Sequence, residues 1–399
     1  MVNSRLLHFM LSSTKKFKRV CLQKRLKGNA CWCFYTMIEW ISRILYWQEP
    51  KEIHSMKRSI TIKDVASETS LAISTISKYM NGGNVREENR IIIEEAVKRL
   101  GYQPNKAARG LRNAKTYTVG LVINYAESEF FSKIAACIER ALQEHGYSLI
   151  LVGHKGDAEK LGEDLKFLID EQVDGCIVAA LEVKGDSLRP LDEAGIPVLL
   201  LDGMKYSKEA HYDSVMSNGA KGAYDAVEHL INNGHKEIAI IAGRDPENED
   251  IIAGGDRMKG YERAFEDYGL EVNDKFVFGG DFRYQSGYEE MNKLWKQKDK
   301  PTAIFIINYN MALGAMTAIH ELGINIPEDL SFVMFDDMEF STLNKPRITA
   351  VRQPIEAIAE QATNFLIRRM NDDWAGYPQQ VRMSTEFNER DSVKDLKRL

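Results

Sequence analysis

The sequence predicts a two-part protein: a small α-helical headpiece of helix-turn-helix type, followed by an α/β body of two doubly wound parallel-sheet lobes. Three observations predict it. The chain has 399 residues, too many for one ordinary core. Three short helical patterns separated by tight turns run from Thr61 to Gly101. Beyond Tyr117, β-branched apolar runs alternate with helical segments, and the alternation occurs in two series.

The headpiece begins with Thr61-Ile62-Lys63-Asp64, a capping residue with an acid three positions on. Ile62, Val65 and Ala66 follow at helical spacing, and the helix is expected to end near residues 68–70. After a turn through Ser70-Leu71-Ala72, a second helix spans 73–80. Its expected apolar face is Ile76, Tyr79 and Met80, and its outer face Ile73, Ser74, Ser77 and Lys78. Asn81-Gly82-Gly83-Asn84 breaks it. A third helix over 87–100 is expected to bury Ile91, Ile92, Ala96, Val97 and Leu100, with Gly101 as its stop. A short second helix that is polar and basic outside suits the major groove. The pattern alone also fits a generic three-helix bundle.

Charge supports the polyanion reading. Residues 1–55 carry 10 Lys/Arg against 3 Asp/Glu, residues 56–113 carry 11 against 6, and residues 114–399 carry 32 against 49. A basic front on an acidic body marks a nucleic-acid binder attached to something else. The five cysteines show no metal-type spacing with histidines, which favours a reduced, cytoplasmic setting and no metal site.

Residues 1–55 differ from the rest, holding three of the five Trp and three of the five Cys. Their apolar stretch 30–47 is short for a membrane span and is interrupted by Glu39 and Arg43. As a signal peptide it is placed late and lacks a small-residue cleavage site. Met56 leads straight into the headpiece motif. Residues 1–55 are therefore expected to be a gene-model extension, or else a disordered or accessory tail, with a membrane anchor as the remaining alternative. The expected divisions are then 56–103 for the headpiece, 104–115 for a hinge and linker, 116–390 for the body and 391–399 for a tail.

In the body, strands are expected at 118–123, 149–152, 175–179 and 198–202, then at 237–242, 276–278, 302–307 and 331–335. Continuous apolar strands between helices mean parallel sheets covered on both faces. A ligand would sit in the cleft between lobes, at strand C-terminal ends. No phosphate-binding glycine loop, dinucleotide fingerprint, nucleophile elbow or histidine metal pattern is present, so no catalytic residue and no cofactor is expected. His235, just before a strand, reads as structural.

At residue level the headpiece resembles the lactose repressor family of bacterial regulators. The resemblance rests on Ile62-Lys63-Asp64-Val65-Ala66, Ser74-Thr75-Ile76-Ser77-Lys78, Asn81, Gly101-Tyr102-Gln103-Pro104-Asn105 and Ala107-Ala108-Arg109-Gly110-Leu111. It continues through Val173-Asp174-Gly175, Gly234-His235-Lys236, Met311-Ala312-Leu313-Gly314-Ala315 and Ile348-Thr349-Ala350-Val351-Arg352-Gln353-Pro354. It implies a body of the periplasmic sugar-binding type, with three crossings between lobes. It also implies a homodimer on a double-stranded operator, without a membrane, controlled by a small-molecule effector. By position, Ile73, Ser74 and Lys78 would face bases, while Thr75 and Ser77 would pack or touch phosphates. Asn105, Lys106, Ala108, Arg109 and Leu111 would belong to a hinge helix in the minor groove, Leu111 as its wedge. Phe130, Phe131, Arg257, Phe282 and Tyr309 would line the effector cleft.

The departures are Ser70-Leu71-Ala72 where the family has Gly-Val-Ser, and Tyr309 and Ser217 where it commonly keeps acids. Arg283 adds charge at a variable place. These departures argue against transferring a family sugar to this cleft. They leave open a regulator controlled by a partner protein, or one without an effector. An extracytoplasmic solute-binding protein is the other alternative, but it would lack a helix-turn-helix and would need a signal sequence.

Overall fold

The computed structural model describes residues 60–398 except 81, 103–114, 127, 180–181, 184–185, 202–204, 207–210 and 244–254. The chain divides into two compact units, Met1–Pro104 and Asn105–Leu399.

In the first unit, helices α1 (Ile62–Thr69), α2 (Ile73–Met80) and α3 (Glu87–Leu100) surround a small core of Val65, Ile76, Ile93 and Ala96. The start of α1 is fixed by Asp64, whose carboxylate accepts from the Thr61 N–H and hydroxyl, both at 2.7 Å. The turn into α2 puts Ser70 in the left-handed region, φ 53°. Gly101 ends α3 at φ 66°. One expectation is corrected on α3. Ile91 and Ile92 are 51% and 44% exposed, and the buried stripe runs through Ile93 and Ala96, with Val97 and Leu100 packed beside it. Three consecutive isoleucines leave the helical phase ambiguous; contact with Val65 and Ile76 selects the third.

The second unit opens with β1 (Thr118–Ile123), α4 (Glu129–Glu144), β2 (Ser148–Gly153), α5 (Ala158–Asp170) and β3 (Gly175–Ala179). Then come β4 (Glu182–Val183), α6 (Arg189–Glu193), β5 (Val198–Leu201), β6 (Lys205–Tyr206) and β7 (Asp213–Ser217). The second series is α7 (Gly219–Asn232), β8 (Ile238–Gly243), α8 (Gly255–Asp267), β9 (Val277–Gly280), α9 (Tyr284–Lys296), β10 (Ala303–Ile306), α10 (Tyr309–Glu321), β11 (Ser331–Phe335), α11 (Glu339–Leu343) and β12 (Thr349–Arg352). Helix α12 (Ile355–Met370), β13 (Gln380–Met383) and β14 (Glu386–Asn388) complete it.

Two six-stranded sheets result, in the orders β13-β7-β5-β3-β1-β2 and β14-β12-β11-β10-β8-β9. The first is wholly parallel, and only β14 runs antiparallel in the second. Helices α4 and α12 cover one face of the first sheet, through Ile134, Ile138 and Phe365, and α5 and α6 cover the other, through Leu165 and Leu191. Helix pairs α7–α8 and α9–α10 cover the second. The chain passes between sheets at Asn218, between β12 and α12, and between β13 and β14, making three crossings.

The expected strands are present, with β4, β6, β7, β12, β13 and β14 added to them. β7 reads Asp213-Ser214-Val215-Met216-Ser217, too polar to register as a buried run. Its aspartate is nonetheless buried and paired with Arg369 at 2.7 Å. The segment after Arg390 has no strand but is tied to the second lobe. The Ser392 hydroxyl donates to the Phe332 carbonyl at 2.6 Å and accepts from the Thr349 N–H at 2.8 Å. His235 is buried between Thr302 and the Lys394 carbonyl, at 2.9 and 3.0 Å.

Candidate nucleic-acid face and inter-lobe cleft

On α2, Ile76 points into the headpiece core and fixes the rotation of the helix. That rotation leaves Ile73, Ser74 and Lys78 exposed on one side, with Thr75 half-buried. Ser77, expected on the outer face, is buried, so its hydroxyl packs inward. The exposed set combines an apolar surface, a hydroxyl and a cation, which are groups able to meet a thymine methyl, a base edge and a phosphate. Behind it, Tyr79 donates to Glu94 at 2.8 Å and Arg90 to the same carboxylate at 3.0 Å, bracing α2 on α3. Asn105, Lys106, Ala108, Arg109 and Leu111 lie outside the described residues.

In both lobes strand order reverses beside the first strand, so crevices open at the C-terminal ends of β1 and β3 and of β8 and β10. The residues that follow β1 are Asn124 and Tyr125; those that follow β10 are Ile307, Asn308 and Tyr309. The second-lobe residues read from sequence converge on this loop. Arg257 donates to the Ile307 carbonyl at 2.5 Å and lies 3.9 Å over the Phe335 ring. Asn308 donates to the Phe282 carbonyl at 2.9 Å, and Phe282 sits at φ 67°. The Tyr309 N–H donates to Asp336 at 3.1 Å. Burial and a hydrogen bond to Glu129 push the Tyr309 phenol well above its usual value. Of the first-lobe pair, Phe130 belongs to the hydrophobic core and Phe131 meets it edge-on at 5.3 Å, half-buried.

Other groups here escaped the sequence reading. Asn124, His154 and Gln353 are buried, and among the described residues both side-chain polar atoms of Asn124, both ring nitrogens of His154 and the Gln353 Oε1 lack a hydrogen-bond partner. Buried groups of this kind need water or a ligand. Their one sequence signal is position: Asn124 and His154 immediately follow strands. Tyr125, Glu129, Lys133 and Glu339 were also missed, because their roles depend on the opposite lobe. Arg283 stood out in the sequence only as added charge.

A three-helix headpiece with an exposed reading helix, carried with a two-lobed α/β unit of ligand-binding type, defines a class: DNA-binding transcription regulators. Residues 61–105 match the family of bacterial regulatory proteins, lacI family, and residues 227–393 match the periplasmic binding protein-like domain. The HTH-type transcriptional repressor PurR of Actinobacillus pleuropneumoniae serotype 3 (strain JL03) is 33% identical over 338 residues, 84% of this chain and 99% of its own. The chain therefore belongs to the lacI family of bacterial regulatory proteins. Among solved structures, the transcriptional regulator CelR–cellobiose complex is 28% identical with TM-score 0.63, over 84% of this chain and 99% of that one. The lac repressor dimer bound to operator and the anti-inducer ONPF has the same fold, at 23% identity and TM-score 0.72, over 84% and 100%. The relatives are regulators rather than enzymes. No described helix is long and apolar enough to cross a membrane.

Proposed function

We propose that this protein is a cytoplasmic, homodimeric repressor without catalytic activity, whose affinity for an operator is controlled by a small molecule in the inter-lobe cleft. The observation that carries the proposal is the α2 surface, which leaves Ile73, Ser74 and Lys78 exposed while Ile76 anchors the helix. Two such headpieces on one dimer read a near-palindromic site. Lys78 supplies salt-dependent phosphate affinity, and Ile73 and Ser74 supply sequence discrimination. Asn105, Lys106 and Arg109 add phosphate contacts in the hinge, where Ala108 allows two hinges to approach and Leu111 wedges the minor groove. In the cleft, Arg257 and Tyr309 offer hydrogen bonds and Phe282 an apolar edge. The unpartnered polar atoms of Asn124 and His154 and the free Gln353 Oε1 supply further donors and acceptors. CelR is named with cellobiose and the lac repressor with an operator, which supports both halves of the reading.

The test is a selection from random duplexes followed by a gel shift on the selected site. Lys78→Ala should bind more weakly across all sequences and lower the salt slope by roughly one per headpiece. No selected site, or an unchanged slope, would count against the reading. Thermal shift with cellobiose, ribose and purine bases tests the cleft; a response to none of them argues against control by ligands of these classes.

A further inference from the structure

The two lobes touch directly across the cleft through their own side chains. At one side Arg283, which precedes α9 in the second lobe, donates to the Tyr125 hydroxyl and to the Lys155 carbonyl in the first, both at 3.1 Å. Its guanidinium also lies 4.9 Å from the centre of the Tyr125 ring, and Tyr125 is buried. At the other side Lys133 of α4 pairs with Glu129 on its own helix at 3.0 Å and with Glu339 of the second lobe. It also lies 3.4 Å from the Met338 sulfur. The Tyr309 phenol of the second lobe is raised by burial and by hydrogen bonding with Glu129 of the first. Hydrogen bonding with Glu129 and with Lys133 holds the Glu339 carboxyl down to about 2, and the two carboxylates outweigh burial to raise the Lys133 ammonium.

We propose that these contacts form a clasp, Arg283–Tyr125–Lys155 on one side and Tyr309–Glu129–Lys133–Glu339 on the other, that holds the lobes together through their own side chains. The inference rests on the cleft being the regulatory site. Exposed ion pairs taken singly hold little. Here three bridges act in parallel on two bodies already joined by three chain crossings, so once one forms the others close at high effective concentration. The tyrosine is central. A short acid at position 309 would bring no phenol toward Glu129, whereas this ring is seated against Phe340, centroids 6.5 Å apart, and its phenol is raised by hydrogen bonding with Glu129. A cleft ligand must therefore displace part of the clasp, and ligand entry and lobe opening become one equilibrium.

Hydrogen exchange by mass spectrometry on the full-length protein tests this without a ligand. The wild type should protect the cleft-rim amides of residues 124–126, 128–134 and 281–288. Arg283→Ala/Lys133→Ala, at half-exposed positions, should speed exchange there several-fold and leave β8, β10 and β11 unchanged. Tyr309→Phe, which keeps the ring and removes the hydroxyl, should produce part of that effect. Arg263→Ala, which removes an exposed pair with Asp267 on α8, should change nothing at the rim. Equal rim exchange in the wild type and the double variant would overturn the clasp. If the ligand reading alone fails, the outcome differs: the clasp variants exchange faster, yet cellobiose, ribose and purine bases shift the melting of neither protein.

Discussion

Ser70 is the residue where sequence and geometry meet most directly. Its φ of 53° is one that L-residues avoid at a cost of about 1–2 kcal/mol, and it occupies the place where the family keeps glycine. Ser70→Gly should raise headpiece stability by about 1 kcal/mol, read as slower exchange of the α1–α3 amides; unchanged protection would mean that the serine makes a compensating bond. Two positions away, the Ala72 carbonyl accepts from the Thr75 and Ile76 N–H groups at 2.9 and 3.3 Å. Its methyl side chain can cap nothing, so the departure costs α2 a cap worth about 1 kcal/mol. In the body the cleft residues singled out in the sequence, Arg257, Phe282 and Tyr309, lie next to a strand end or a recognisable motif. Asn124 and His154 were not legible, because an unpartnered buried amide or imidazole is defined by what does not surround it.

Among the elements, α9 and α10 are packed backbone to backbone. A Cβ on Gly314 would lie 1.9 Å from the Tyr284 carbonyl oxygen, and one on Gly287 would lie 2.1 Å from that of Met311. Gly314→Ala should therefore push the pair apart and cost about 1–3 kcal/mol, measured as a lower urea midpoint; an unchanged midpoint would show that the helices slide freely. The Met311-Ala312-Leu313-Gly314-Ala315 motif was visible as a pattern, but the close approach that makes its glycine necessary was not. The same limit applied to α3, where Ile91, Ile92 and Ile93 are equivalent in hydropathy and only the partner helices choose between them. The polar strand β7 escaped because Arg369, far along the chain, is what allows Asp213 to be buried.

For the whole molecule, three histidines set the pH response. Burial lowers the affinity of His154, His229 and His235 for a proton in the folded state. The Nε2 of His235 faces a carbonyl that can only accept, so it carries the proton of a neutral ring. An unfolded chain binds protons at these sites near the ordinary 6.5, above where the folded chain does. Stability is thus complete above that value and declines as pH falls below it. The melting temperature should drop by roughly a few degrees between pH 7.5 and pH 5.5, and a flat profile over that range would show that these histidines accept protons without unfolding.

The sequence alone determined the helix-turn-helix, the two parallel-sheet lobes and the family, because these depend on local periodicity, turn chemistry and motifs contiguous in the chain. It also picked out Tyr309 as a departure, since a bulky phenol in place of an acid is a change of type. Only the tertiary structure decided what that phenol does. Glu129, Lys133, Arg283 and Tyr125 belong to no motif and are scattered over 158 positions, and their meaning comes from two lobes bringing them together. Periodicity along a chain records which side of an element is buried, but it does not record which charge waits on the other side of a cleft.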